Sequence, residues 1–294
     1  MIEKELTSMS PLGDSGVVLI ADSGSTKTHW CVVDRGIVEK EVFTDGINPF
    51  YQSVQDVIGL LHQQLVPKLE GLLVNEIHFY GAGCAFPDKK LIVNQALVRF
   101  FSNATISINN DLLGAARALL QHEKGIACIM GTGSNSCYYD GKEIAQNVSP
   151  LGFILGDEGS GAVLGKLFVA DCLKNQLPEW IRDKFLDEYE LTPAIILDRV
   201  YKQPFPNRFL AKFTPFLLEH IEEPSIFNLV FDSFDAFLVR NVIQYPLEEM
   251  KVGFVGSIAW HFRDTLEIVA SERDIEVNQI VQSPMEGLIR YHVE

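Results

Sequence analysis

Two stretches of the chain share one pattern: an apolar run, a short segment rich in Gly, Ser and Thr, and a second apolar run. They are VVLIADSGSTKTHWCVVDRG at Val17–Gly36 and GIACIMGTGSNSCYYDGK at Gly125–Lys142. A hairpin accounts for each, because its bend needs residues that tolerate unusual dihedrals. Glycine in the bend also lets backbone N–H groups approach an anion with no side chain between. Two such hairpins imply two lobes that handle phosphate.

The segments between and after the hairpins alternate in period. A polar turn at Asp45–Pro49 precedes a helical stretch, Val54–Leu69, whose apolar residues recur every three to four positions. A strand over Asn75–Tyr80 runs into Gly81-Ala82-Gly83, and Pro near its start marks a helix over Pro87–Phe101. Thr105–Ile108 is a short strand ending in Asn109-Asn110-Asp111, followed by an Ala/Leu helix over Leu112–Gln121. A hairpin followed by alternating helices and strands describes a mixed α/β lobe.

The second hairpin restarts that pattern. The Gly-rich turn Ser149–Gly161 leads into a helix at about Ala162–Leu173, and Pro178–Tyr245 is helical, Phe-rich and interrupted by prolines. Its aromatics read as core rather than as a ligand platform. Lys251–Val255 is a strand, Gly256-Ser257 a turn, Ile258–Ala270 a helix and Glu276–Val281 a strand. Ser283, Pro284 and Glu286 fit the N-cap, N1 and N3 positions of a closing capping-box helix.

Composition narrows the functional classes. At 294 residues and 47% hydrophobic content the chain can bury a large core, and its length suggests two domains. A formal charge of −15 with no Lys/Arg run opposes nucleic acid and anionic membrane surfaces as partners. No apolar run approaches the ~20 residues of a membrane span. The opening MIEKELTSMSPLGDSG is polar and lacks the apolar centre of a signal peptide, so residues 1–16 read as a polar extension of a cytoplasmic protein. Cys31, Cys84, Cys128, Cys137 and Cys172 form no CxxC pair, which favours reduced core thiols over disulfides or a metal site set by spacing.

The Walker spacing GxxxxGK[ST] is absent. What remains is a series of turns at strand ends, in the order DSGSTKT, NDLLGAA, GTGSNS, GDEGSG and GFVGSIA. In that order they resemble the phosphate, catalytic, second phosphate, post-phosphate and adenosine segments of the acetate kinase/sugar kinase/Hsp70/actin superfamily. The chain length and GDEGSG resemble the branch containing N-acetylglucosamine kinase and the BadF/BadG ATPases. The resemblance covers roughly residues 17–292. It implies an α/β fold of two ribonuclease-H-like (actin-like ATPase) domains with a nucleotide cleft between them. The lobes would span residues 17–116 and 117–282, with a helical insertion at about 178–245 and a C-terminal helix, 283–294, able to pack back on the first lobe.

Carried over residue by residue, the resemblance implies ATP and Mg²⁺. Gly24, Ser25, Thr26 and Lys27 match the first phosphate loop, and Asp22 matches a carboxylate that positions Mg²⁺ through water; an Asp there can also simply form the turn. Gly131, Thr132, Gly133 and Ser134 match the second phosphate loop, and Gly256 and Ser257 the adenosine segment, where a strand-to-helix glycine is also common without ligand. Asp111 matches the general base; an Asp at a helix start is equally an ordinary cap. On the acceptor side, Asn48 and Asp157 match substrate-binding positions, although Asn48 can also be a turn residue before Pro49. Leu151 stands where the vertebrate-type motif carries Trp, so the sugar itself is not specified.

The expected activity is that of an ATP-dependent sugar kinase acting on the 6-hydroxyl of an amino sugar, N-acetylglucosamine or glucosamine, with a homodimer left open. Two rivals stand beside it. One is a BadF/BadG-type activator ATPase of a CoA-ester dehydratase or reductase, which needs a Cys-bound iron–sulfur cluster. The other is a non-enzymatic actin-like nucleotide-binding module.

Overall fold

The computed structural model describes residues 16–24, 26–246 and 251–293; Ser25 and residues 1–15 of the expected extension lie outside the described residues. The chain divides into two compact units. One ends at Asp111 and takes back His292 and Val293, and the other is Leu112–Tyr291.

The first unit contains β1 (Val17–Ser23), β2 (Lys27–Asp34), β3 (Ile37–Asp45), α1 (Val54–Gln64), β4 (Val74–Gly81), α2 (Pro87–Val98) and β5 (Thr105–Asn110). Its sheet has the order β3-β2-β1-β4-β5, antiparallel from β3 to β1 and parallel from β1 to β5. Alternation along the strands turns Leu19, Ala21, Trp30, Val32 and Phe79 into one core against Val57 and Leu61 of α1 and Val93 and Leu97 of α2. The parallel register sets Ser23 beside Gly81 and Gly81 beside Asn110, so three strands end level with one another. In parallel sheets that carboxyl edge is where ligands bind.

The second unit follows through α3 (Asp111–Leu120), whose first residue closes the first unit. Its strands are β6 (Gly125–Met130), β7 (Ser134–Tyr139) and β8 (Ile144–Gln146), followed by helices α4 (Gly152–Leu155) and α5 (Gly161–Leu173). The helical region is α6 (Glu179–Glu188), α7 (Pro193–Tyr201), α8 (Pro206–Ala211), α9 (Thr214–Glu219) and α10 (Pro224–Phe237), the last running into a π-helical turn at Leu238–Val242. Then come β9 (Lys251–Val255), α11 (Ser257–His261), α12 (Arg263–Glu272), β10 (Val277–Val281) and α13 (Met285–Val293). The sheet order β10-β9-β6-β7-β8 repeats the topology of the first sheet, with an antiparallel ribbon on one side and parallel strands on the other. Both units therefore have the α/β arrangement that the turn motifs imply.

Most phenylalanines of the helical region form core, as expected, although Phe205 is exposed. Phe185 stands edge-on to Phe168 at 4.8 Å and to Phe213 at 4.9 Å. Gly165 lets α5 meet α8 at backbone distance, since a Cβ there would lie 2.1 Å from the Leu210 carbonyl oxygen. All five cysteines are buried and free. Among the described residues no helix is long and apolar enough to cross a membrane.

Several boundaries differ from the sequence reading for local reasons. The first helix stops at Gln64 and a one-turn 3-10 helix follows at Val66–Leu69, because Pro67 supplies no N–H to continue it. The helix expected over Ile258–Ala270 is two helices, broken where Phe262 leaves helical geometry at φ −104 and ψ 25. Edge strand β3 carries no pattern that predicts it, because only Val42 and Thr44 of its nine residues are buried, leaving almost no apolar alternation. At the closing helix a simple N-cap bond stands in place of the expected capping box: Ser283 Oγ accepts from the N2 N–H of Met285 at 3.4 Å, and Glu286 pairs with Arg290 one turn on. The expected boundary at residue 116 falls inside α3, and most of α13 belongs to the second unit, with Gly287 packed on the Ala118 backbone.

Candidate active site

In the first unit, the end of β1 and the start of α3 bring two carboxylates into electrostatic contact. Asp22 lies on β1, and burial together with the neighbouring Asp111 pushes its carboxyl up to about 7, with Lys27 opposing the rise. Burial dominates because the charged form loses water, and the second carboxylate adds like-charge repulsion. The β1–β2 bend is closed by the Gly24 N–H donating to the Lys27 carbonyl at 3.0 Å. Thr26 is exposed, its carbonyl accepting from Gly46 N–H, and the Lys27 ammonium sits 4.7 Å from the Phe43 ring centre. Asn48 forms a local turn in which its Oδ1 accepts the Phe50 N–H at 3.0 Å, while its own N–H donates to Gln52. The turn role of Asn48 is thus realised, and its amide is held in place.

The raised Asp22 pKa carries a stability consequence with a definite sign. Between about pH 4 and about 7 the folded carboxyl keeps a proton that the unfolded chain releases near 3.8. The unfolded state binds fewer protons there, so stability is greatest at the acidic end and falls as pH rises through this window. Asp22→Asn is expected to flatten the slope and raise neutral-pH stability by about 2–4 kcal/mol, at about 1.4 kcal/mol per pKa unit. Denaturant melts at about pH 5 and about pH 7.5 measure it; equal slopes in the variant and the parent protein would refute the coupling.

In the second unit, the β6–β7 bend is braced from both sides. Gly131 N–H donates to the Gly133 carbonyl at 2.9 Å, while Gly161 and Ala162 N–H, at the start of α5, donate to the Gly131 and Thr132 carbonyls. The first turn of α5 thereby orders the loop, and Ser160 caps it through the Val163 N–H. Ser134 is committed inside the protein: its Oγ donates to the Glu158 carbonyl at 2.7 Å, and its N–H bonds to the Asp157 carboxylate. Among the described residues no hydrogen bond occupies the Thr132 hydroxyl, which is partly exposed in the bend.

Asp157 also sits in this loop, at φ 54 and with an oxygen 3.2 Å from where a Gly133 Cβ would stand. Burial pushes its carboxyl up to about 6, against the lowering effect of the Ser134 N–H. Gly256 links β9 to α11 at φ 128; a Cβ there would fall 2.3 Å from the Met130 carbonyl oxygen, and its N–H donates to Val281. The close approach that explains this glycine is therefore to the backbone leading into the Gly131 bend. Ser257 is exposed at the first position of α11.

No family model and no curated protein matches the chain. Among solved structures, the "Putative N-acetylglucosamine Kinase" of Porphyromonas gingivalis shares 49% sequence identity, covering 94% of this chain and 98% of that chain, with a TM-score of 0.92. The chain belongs to the N-acetylglucosamine kinase family. The fold recurs at lower identity. A structure named in the same way from Chromobacterium violaceum has 18% identity and a TM-score of 0.71, covering 94% of this chain and 98% of that one. A ROK family glucokinase from Streptomyces griseus, in complex with glucose and AMPPNP, has 15% identity and a TM-score of 0.57 over the same shares.

Residues of this kinase that sequence reasoning passed over lie on the π-helical turn. Arg240 pairs with Glu158 at 3.0 Å, Asn241 Nδ2 donates to the other Glu158 oxygen at 3.2 Å, and Ser136 Oγ donates to the Asn241 carbonyl at 2.6 Å. Tyr245 completes the brace, its hydroxyl accepting the Val148 N–H and donating to the Ser136 carbonyl. These side chains hold the GDEGSG loop against the Gly131 bend. The only signal along the chain was an unusually polar RN pair within an apolar helix end, which no motif distinguishes from a solvated face.

Proposed function

We propose that the protein is an ATP-dependent sugar kinase that transfers the γ-phosphate to the 6-hydroxyl of an amino sugar, N-acetylglucosamine or glucosamine. The observation that carries this reading is the Asp22–Asp111 carboxylate pair at the level ends of β1 and β5, in a member of this family. Phosphoryl transfer is mostly a matter of positioning and charge neutralisation, with one group to accept the hydroxyl proton. Asp111 takes that role, its carboxylate oxygen receiving the proton of the acceptor hydroxyl.

Asp22 also suits Mg²⁺ held through water, because a hard cation prefers carboxylate oxygen and its charge favours the ionised form that burial and the neighbouring Asp111 disfavour. When bound, Mg²⁺ neutralises charge on the phosphates. Gly24, Thr26 and Lys27 face the phosphates of ATP in this reading, Lys27 as a point charge. Thr132 contributes its hydroxyl, with Gly131 and Gly133 shaping the bend and Ser134 ordering it from within. Gly256 and Ser257 border the adenosine. Asn48 and Asp157 bind sugar hydroxyls, an amide serving as both donor and acceptor and a carboxylate as acceptor.

The buried state of Cys31, Cys84, Cys128, Cys137 and Cys172 speaks against the activator-ATPase rival, which needs thiolates able to share a cluster at a surface. The test is an ADP-release screen over glucosamine, N-acetylglucosamine, N-acetylmuramic acid, N-acetylmannosamine and glucose, with sugar phosphate measured in parallel. Sugar 6-phosphate forming in step with ADP, fastest for an amino sugar, is the expected result; ADP without sugar phosphate would overturn it. In the same assay Thr132→Val removes one hydroxyl donor and is expected to weaken ATP interaction by about 0.5–3 kcal/mol with near-normal thermal stability. Unchanged ATP kinetics would remove Thr132 from the site.

A further inference from the structure

The outer ribbon of the first sheet carries a second cluster that the kinase reading does not use. His29 and Cys31 are two apart on β2 and share one face, and the antiparallel register sets Glu41 of β3 opposite Cys31. All three point their ligand atoms at a common place: His29 Nε2 lies 2.8 Å from Glu41 Oε2 and 3.5 Å from Cys31 Sγ, and the three atoms lie within 4.8 Å of one another. The imidazole is fixed in that direction by stacking on Phe43 at 4.4 Å and 21°. It is mostly buried, with 14% of its side chain exposed, whereas Glu41 is 53% exposed and forms the open side.

The geometry points to a cation site here: His29, Cys31 and Glu41 bind a borderline transition-metal dication of the Zn²⁺ type, which clips the β2–β3 edge ribbon. Bonds of about 2.0–2.1 Å to imidazole nitrogen and about 2.3 Å to thiolate sulfur, set at a tetrahedral angle, separate N and S by about 3.5 Å. That is the spacing already present between His29 and Cys31. The N–O pair, now at hydrogen-bond distance, opens by roughly half an ångström to reach tetrahedral spacing, a motion the exposed Glu41 side chain can make. The donor set of one thiolate, one imidazole and one carboxylate suits this class of ion and disfavours Mg²⁺ and Ca²⁺, which want oxygen throughout. Binding replaces the Cys31 S–H bond by an S–metal bond and releases one proton to solvent. With three protein ligands, the fourth position is left to water.

The test uses the full chain, stripped of metal and titrated with Co²⁺ without nucleotide. A thiolate-to-cobalt charge-transfer band that saturates at one ion per chain, and is bleached by Zn²⁺, is expected. A carboxylate-only site such as the Asp22–Asp111 pair gives no such band. Cys31→Ser should abolish it. Since Cys31 is buried and that variant can fail to fold, Glu41→Gln at an exposed position provides the independent measure and should weaken Co²⁺ affinity by about tenfold or more. No thiolate band at saturating Co²⁺, or a band with unaltered affinity in Glu41→Gln, would overturn the assignment.

Discussion

Asp111→Asn is expected to lower kcat by about 10²–10⁴-fold, the range associated with loss of a general base, while folding and ATP affinity stay largely intact. Asn caps a helix about as well as Asp, so α3 keeps its start, but the amide cannot accept the hydroxyl proton. Two further consequences separate this from a structural effect. With one carboxylate of the pair removed, Asp22 loses a source of like-charge repulsion, so its titration should move toward that of an ordinary Asp. Burial, the larger cause, remains, and the shift should be partial. Steady-state kinetics on the best sugar of the screen, with NMR titration of the Asp22 carboxyl, measure both. A variant that phosphorylates the sugar within a few-fold of the parent protein would reduce Asp111 to a cap.

Gly256→Ala is expected to cost about 3 kcal/mol or more of stability. Two separate penalties combine there. At φ 128 the backbone occupies a region that residues with a Cβ rarely adopt, and the added methyl would overlap the Met130 carbonyl oxygen at 2.3 Å. Neither can relax cheaply, because Met130 is paired in β6 and Gly256 N–H is bonded to Val281. The clash is with the residue that precedes the Gly131 bend, so lost ATP turnover should accompany lost stability. Chemical denaturation of the variant beside Ser257→Ala distinguishes the roles: Ser257→Ala, at an exposed helix start, should leave the melt unchanged. A Gly256→Ala protein as stable as its parent would show that β9 and β6 can part at this point.

The architecture was legible along the chain wherever one segment carries its own reason. The bends at Gly24–Lys27 and Gly131–Ser134 announce themselves because Gly, Ser and Thr between two apolar runs have few other uses, and the strand and helix periods on either side follow from burial of one face. Helix ends were less legible, since Pro67 and Phe262 break helices through backbone geometry that an apolar count does not register. β3 was invisible because an exposed edge strand needs no apolar alternation.

For the candidate site, the residue types and their order were readable, and so were the turn role of Asn48 and the bend at Gly131. The pairing of Asp22 with Asp111 was decided by the parallel register that ends β1, β4 and β5 level, which no local pattern encodes. Tertiary packing likewise drew Arg240 and Asn241 to Glu158, took Ser134 into the loop interior, and gave Gly256 a backbone neighbour to fit. Sequence by itself determined which segments bend, which bury a face and where carboxylates, hydroxyls and glycines fall at strand ends, because those depend on neighbours along the chain. Only the tertiary structure decided which charges share a space and which donors are already taken, because desolvation and hydrogen bonding depend on atoms brought together from distant positions.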